Sequence, residues 1–163
     1  MGMFGSTRDV ATMKIFTKEL VEDLISQEVG YYKVKLGDTE PNVYGEAITK
    51  YFIGPVLIPC LIVRGDFTRD SMDFGFDTKR DVEFRFFKDH LIEGNIVPEV
   101  GDYVMYNESY YEVNNVNENQ QILGKDPDYT YSDGAANFGQ SYSIIVFGHY
   151  SSPDKLGITQ ERL

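Results

Sequence analysis

Ile-Val-Pro-Glu-Val-Gly-Asp-Tyr-Val-Met-Tyr-Asn-Glu-Ser-Tyr-Tyr-Glu-Val-Asn-Asn-Val, residues Ile96 to Val116, is the stretch whose reading decides the fold. Pro98 and Gly101-Asp102 mark a turn, because proline fixes φ and glycine tolerates tight backbone. Tyr103-Val104-Met105-Tyr106 and Tyr110-Tyr111-Glu112-Val113 carry the aromatic and β-branched residues that suit a pleated surface. Asn107-Glu108-Ser109 between them is short, polar and turn-forming, so the segment reads as a β-hairpin. Alternate residues face opposite ways, which puts Val104 and Tyr106 on one side and Tyr103 and Met105 on the other. Both sides are apolar or aromatic. Such a strand is either central in a barrel or sandwich, or covered on one side by another subunit.

Working outward, the chain of 163 residues is most simply one domain, long enough to bury roughly two-thirds of its unfolded surface. An apolar fraction of 42% supports a core. The net charge of −11, from 26 acidic and 15 basic side chains, argues against a grip on nucleic acid, which needs lysine and arginine against phosphate. It is compatible with a surface that nucleic acid passes without sticking. Twelve tyrosines and eleven phenylalanines make the chain rich in rings, most of them expected in the core. Cys60, the single cysteine, lies in an apolar run and reads as a buried inert thiol, with no intramolecular disulfide available. The longest apolar run, Tyr51 to Val63, holds two prolines and is too short to span a bilayer, and no basic-then-apolar leader is recognisable. Met1-Gly2-Met3-Phe4-Gly5-Ser6 fits the short myristoylation pattern, with a chance match the simpler reading.

Taken in order, residues 1–11 read as a mobile N-terminal arm, 12–150 as a single β-rich domain and 151–163 as a C-terminal tail. Thr17 is placed to cap a helix whose Leu20, Val21, Leu24 and Ile25 recur at helical spacing, with Gly30 as its C-cap. The apolar face of that helix packs on its own sheet or docks on a neighbour; the former is the simpler expectation. Tyr31 to Lys35 reads as a strand, 37–42 as a loop, Val43 to Ala47 as a helical turn and Val56 to Val63 as a buried strand. Pro59, lacking an N–H, puts that strand at an edge or a bulge. Arg64 to Asp81 reads as an acidic solvated loop whose aspartates lack the spacing and distal glutamate of a calcium site. Val82 to Phe87 alternates as a strand, with Glu83 and Arg85 outward. Asn114 to Gln121 is polar, and Gly124 to Gln140 is a long segment of the kind usually functional or disordered. Its Asp126, Asp128 and Asp133-Gly134 again miss the calcium pattern. Ser141 to Tyr150 is the last strand, Ile144 and Val146 on one face, Ile145 and Phe147 on the other. The fold class is mainly β, a small barrel or sandwich with an N-terminal amphipathic helix and long loops.

No reactive constellation stands out. His90 and His149 have no second ligand at metal spacing and read as surface or interface histidines, and no nucleophile elbow, phosphate loop or dinucleotide fingerprint occurs. Paired carboxylates meeting only in space stay possible in principle. No cofactor or metal is expected, and the chain reads as a building part rather than an enzyme.

The order of motifs carries a resemblance. Thr17 to Ile25, Tyr31-Tyr32-Lys33-Val34, Val43-Tyr44-Gly45-Glu46, Val82 to Phe87 and Pro98 to Val113 follow one another as in the neck, or head-closure, proteins of T4-like contractile-tailed bacteriophages. In that family an aromatic-Gly-Glu step follows a tyrosine-containing strand, and a Gly-Asp-apolar-x-Tyr/Phe segment leads to a Phe/Tyr-Glu-Val/Ile strand. The resemblance covers most of Thr17 to Tyr150; the chain departs from it at Gly54 to Pro59 and at the insertion Lys125 to Gln140. It implies a non-enzymatic virion protein, assembled in the host cytoplasm, forming a ring of copies in the neck. Its partners would be itself, a portal-side head-completion or adaptor protein, and the tail terminator or other tail proteins. DNA would pass through the lumen without specific binding, and no membrane is involved. A tail terminator or adaptor ring is the near alternative; a small β-barrel binding module or a carboxylate hydrolase is the distant one. Expected contact residues are Leu20, Leu24, Tyr103, Met105, Asn107, Glu108, Ser109, Tyr129, Tyr131 and Phe138.

Overall fold

The computed structural model describes residues 7–35, 40–41, 47–49, 51–72, 75–123 and 140–152. Helix α1 (Thr7–Glu19) runs into a π-helical turn (Leu20–Ile25), then strand β1 (Glu28–Val34). Two short strands, β2 (Glu40–Pro41) and β3 (Ala47–Thr49), pair only with each other, followed by β4 (Phe52–Met72) and β5 (Gly75–Phe87). Helix α2 (Lys88–Glu93) leads to β6 (Tyr103–Tyr106), β7 (Ser109–Leu123) and β8 (Gln140–Ser151). The main strands close into a six-stranded barrel in the order β1-β4-β5-β8-β7-β6, every neighbouring pair antiparallel.

The hairpin stands at the seam of this barrel. Asn107 and Glu108 both have positive φ, 49° and 60°, as a two-residue turn matched to strand twist requires, and Ser109 already pairs with Tyr106. Val104 points inward to join Val29, Tyr31, Ile58, Phe84, Phe86, Tyr111 and Val146 in the core. Tyr103 points outward, yet is buried: with Tyr32 and Tyr110 it forms a second cluster, against which Phe52 and Met105 pack. The strand is therefore a barrel strand whose outer side is roofed by rings of its own chain.

Short as it is, β6 closes the barrel because Asp102 holds the seam. Its side chain is buried and accepts from the Tyr31 hydroxyl at 2.7 Å, Lys33 Nζ at 3.1 Å, Val34 N at 2.9 Å and Glu99 N at 2.9 Å. Its backbone carbonyl accepts from Val113 N at 2.8 Å. Asp102 thus ties β1 and the turn before β6 through its carboxylate, and β7 through its backbone carbonyl. Burial, and next the nearby Asp102, push the Tyr31 hydroxyl well above its ordinary ionisation range, so it stays a donor. Gly101 precedes it at φ +95°, a conformation that a side chain would strain.

Several sequence expectations need correction. The helix begins by Thr7, so Thr7 to Ala11 are helical rather than arm. Thr17 does not cap it; its hydroxyl back-bonds to Met13 O at 2.9 Å inside the helix. The helix ends at Ser26 (φ 47°), whose N–H donates to Val21 O, and Gly30 lies within β1. The buried strand at Val56 to Val63 is longer, and Pro59 is not at a sheet edge. Cys60 N donates to Gln27 O at 2.9 Å, which turns the Pro59 nitrogen toward β5, and the β5 ladder begins only at Cys60↔Phe86. The missing donor therefore interrupts no pairing. Arg64 to Asp81 is not a loop: β4 and β5 continue as a two-stranded ribbon from Phe67↔Arg80 to Met72↔Gly75, six pairs or about 20 Å beyond the barrel. The scattered aspartates, glycines and basic residues of this segment are why its sequence reads as loop. Asn114 to Gln121 belongs to β7. In β8, Ile144 and Val146 join the core as their alternation suggests. The helical turn expected at Val43 to Glu46 lies outside the described residues, and Ala47 opens β3.

Removing the Asp102 carboxylate strands several buried donors, whereas removing the Tyr31 hydroxyl leaves Asp102 three others. Asp102→Ala is expected to lower unfolding stability by about 3–5 kcal/mol and Tyr31→Phe by about 1–2 kcal/mol, read from urea midpoints. Equal, small effects would show that the seam does not depend on this carboxylate.

Candidate functional site

The groups capable of chemistry are mostly locked into structure. Cys60 is buried and its thiol is pushed up to about 12 by burial, so it is inert as expected. His90 is not a surface residue. It is 6% exposed, its ring meets Phe87 edge-on, and Nε2 lies 2.8 Å from Glu22 Oε1. It pins α2 to the π-helical turn, beside the ion pairs Lys14–Asp89 (3.0 Å) and Lys18–Glu93 (3.1 Å). His149 is part-exposed, 3.9 Å from Glu112. Among the described residues no group of three or more His, Cys, Asp or Glu is placed to hold a metal ion.

Two concave regions flank the base of the ribbon. A groove of about 580 Å³ lies between Val63, Asp81, Glu83, Asn115 and Phe147. The barrel mouth, about 390 Å³, is lined by Arg64, Arg80, Tyr106 and Tyr111. There Arg64 Nη2 donates to Tyr106 Oη at 2.5 Å and its guanidinium carbon stands 5.4 Å from the ring centroid. Among the described residues the first groove holds the carboxylates of Asp81 and Glu83, and neither lining places a Ser, Cys or His beside a base.

What the barrel does present is uncovered apolar surface, in two places. Along β4 the even residues Ile58, Cys60 and Ile62 turn inward, leaving Leu57, Leu61 and Val63 on the outer face, with Leu57 63% exposed. Tyr51, Ile53 and Val56 are also exposed near the start of the strand, but Val56 stands opposite the core residue Tyr31 and so lies on the other side of β4 from Leu57. Beside Leu57 sits Gly30, and beside Gly30 sits Met105. A Cβ on Gly30 would lie 3.3 Å from both Met105 Cε and Pro55 Cβ, so the glycine lets the face run smoothly across β1. The second surface is helical. Among its described side chains, α1 and the π-turn bury Val21 alone, while Met13, Phe16, Leu20 and Leu24 form an exposed ridge, Phe16 at 66% and Leu24 at 77%. Glu19 and Asp23 line the same shallow groove as Phe16, Leu20 and Leu24. The expectation that the helix packs chiefly on its own sheet is overturned: the ion pairs to α2 hold it, and its apolar side stays open.

The expected contact residues divide accordingly. Leu20 and Leu24 lie on the ridge, and Asn107 and Glu108 at an exposed turn tip with Ser109 half-buried behind them. Met105 is half-buried at the border of the β4 face. Tyr103, 2% exposed, belongs to the monomer's own outer cluster and offers almost nothing to another chain. Tyr129, Tyr131 and Phe138 lie outside the described residues. Sequence reading missed Phe16, Leu57, Leu61 and Val63. The signal was present in the unbroken apolar run of β4, which is read as burial on both sides unless the barrel's outer wall is known.

No protein-family profile and no curated protein matches the chain. Among solved structures, it is similar to a chain from the virion of a native gene transfer agent (GTA) particle. The likeness has 7% identity and a TM-score of 0.45, and covers 77% of this chain and 94% of that one.

Surface apolar residues contribute little to the folded monomer, whereas inward ones fill its core. Leu24→Ser and Leu57→Ser are expected to change unfolding stability by no more than about 0.5 kcal/mol, and Ile58→Ala to lower it by about 2–5 kcal/mol. Chemical denaturation of the purified variants checks this; a large loss at Leu24 or Leu57 would mean that these side chains are covered within the chain. Cys60 should resist thiol reagents at mildly alkaline pH in the folded protein and react fully in denaturant.

Proposed function

We propose that the chain is a structural virion protein of a tailed bacteriophage, forming a ring in the neck that closes the DNA-filled head and joins it to the tail. The observation that carries a docking role is the pair of uncovered apolar faces on a closed barrel. Contiguous exposed apolar surface marks an interaction site, and a barrel without edges can associate only through its outer walls, ends and loops. The neck in particular is supported by the order of motifs from Thr17 to Val113 that resembles the head-closure proteins.

A ring is the assembly such surfaces favour. Two different patches on one chain make a head-to-tail contact, which closes when the rotation per copy divides a full turn. One neighbour, on the portal or the tail side, would use the barrel end where the ribbon and the turn at Asn107-Glu108 project together, and the other neighbour the opposite end. The net charge of −11 suits a channel wall, since carboxylates repel phosphate and let DNA slide.

A density map of the neck in purified particles is the test. The barrel is expected to account for a ring of copies between head and tail, with few basic residues on the lumen. Absence of the chain from purified particles, or a lumen lined chiefly by lysine and arginine, would overturn the reading. Replacing residues 125–139 by a short glycine-serine link is expected to leave the barrel folded by circular dichroism but to lower the yield of tailed particles. Unchanged yield would remove that segment from the contact surface.

A further inference from the structure

We infer that neighbouring copies meet through one heterologous joint, in which the Phe16-Leu20-Leu24 ridge of one copy seats on the Leu57-Leu61-Val63 face of the next. This rests on the ring reading and names the surfaces that make it. The two faces differ in shape: one is a convex helical ridge, the other the outer wall of β4. The ridge is the more open, with Phe16 at 66% and Leu24 at 77%, against Leu57 at 63% and Leu61 and Val63 at 37%; contiguous exposed apolar surface of this kind marks an interaction site. Joined, they supply the apolar centre, with polar residues around them as the rim.

Charge selects this pairing over ridge on ridge. Glu19 and Asp23 line the groove beside Phe16, Leu20 and Leu24, so two ridges brought together would oppose carboxylates to carboxylates. The β4 face instead carries Arg85, opposite Leu61 in register and exposed, next to Glu83 opposite Val63, so its charges are balanced rather than acidic. Arg85 meets Glu83 through Nε and Nη2 at 3.3 and 3.0 Å, and the guanidinium fork has three further N–H donors. A carboxylate arriving with the ridge fits beside it. Because each copy offers the ridge to one neighbour and the wall to the other, the contact propagates in one direction until it closes.

The test is a cysteine pair, Leu24→Cys with Leu57→Cys, in particles assembled from the full chain; buried Cys60 stays silent. Oxidation is expected to give a ladder of covalent oligomers beyond the dimer on a denaturing gel, while neither single variant cross-links to itself. Dimers from Leu24→Cys alone would mean that ridge meets ridge and would overturn the joint. A chain present in many copies per particle but never cross-linked would also overturn it while leaving the ring intact. Absence of the wild-type chain from the particle would instead remove the ring reading itself. A charge exchange reads the same contact without new thiols. Asp23→Arg and Arg85→Asp should each lower particle yield several-fold, and the two together should restore most of it; no recovery would count against the pairing.

Discussion

The barrel depends on one buried carboxylate. Strand β6 has four residues and makes three register pairs with the seven-residue β1, a short ladder to close a barrel whose β4, β5, β7 and β8 have twelve residues or more. Asp102 supplements it by binding the Tyr31 hydroxyl, Lys33 and Val34 N on the far side of the seam. A buried charge is tolerated only when hydrogen bonds replace the water it loses, and here backbone N–H groups, a hydroxyl and an ammonium do so. Without that set, the β1 and β6 edges would be open to pairing with other chains.

Closure determines how the molecule can meet others. With the backbone hydrogen bonds of the seam used internally, association falls to side chains on the outer wall and to the elements that extend past the barrel ends. The β4–β5 ribbon extends at the amino end of β5, and the β7–β8 ladder runs past the carboxyl end of β5 to Leu123↔Gln140. Because β5 and β8 are antiparallel neighbours, these extensions lie at opposite ends of the barrel. In the proposed ring the two apolar faces would join copies laterally, and the two ends would meet different neighbours.

Much of this was legible in the sequence. The hairpin at Tyr103 to Val113 and the strands at Val82 to Phe87 and Ser141 to Tyr150 alternate cleanly, because each has one side in the core. The two apolar sides of β6 also spoke for a barrel or sandwich, although the roof over Tyr103 turned out to be Phe52, Tyr32 and Tyr110 rather than a partner. What was hidden lacked a periodic signal. The ribbon at Phe67 to Arg80 is paired within the β4–β5 hairpin, and its scattered aspartates and basic residues read as a solvated loop. The helix start was masked because Thr17, a good cap residue, bonds backward to Met13. The role of Asp102 depends on partners about 70 positions away, and the surface character of Leu57 on which wall of the barrel β4 faces. His90 shows the same limit, since its contacts come from Glu22 on the π-helical turn, far off in sequence, and from Phe87 at the end of β5.

The direct measurement is hydroxyl-radical footprinting of the isolated chain and of assembled particles, read residue by residue. Phe16, Leu24, Leu57 and Leu61 are expected to react in the isolated chain and to be protected in the particle, since their exposed carbons become the contacts between copies. Undiminished reactivity at all four in the particle would contradict the claim that these apolar walls hold the assembly together.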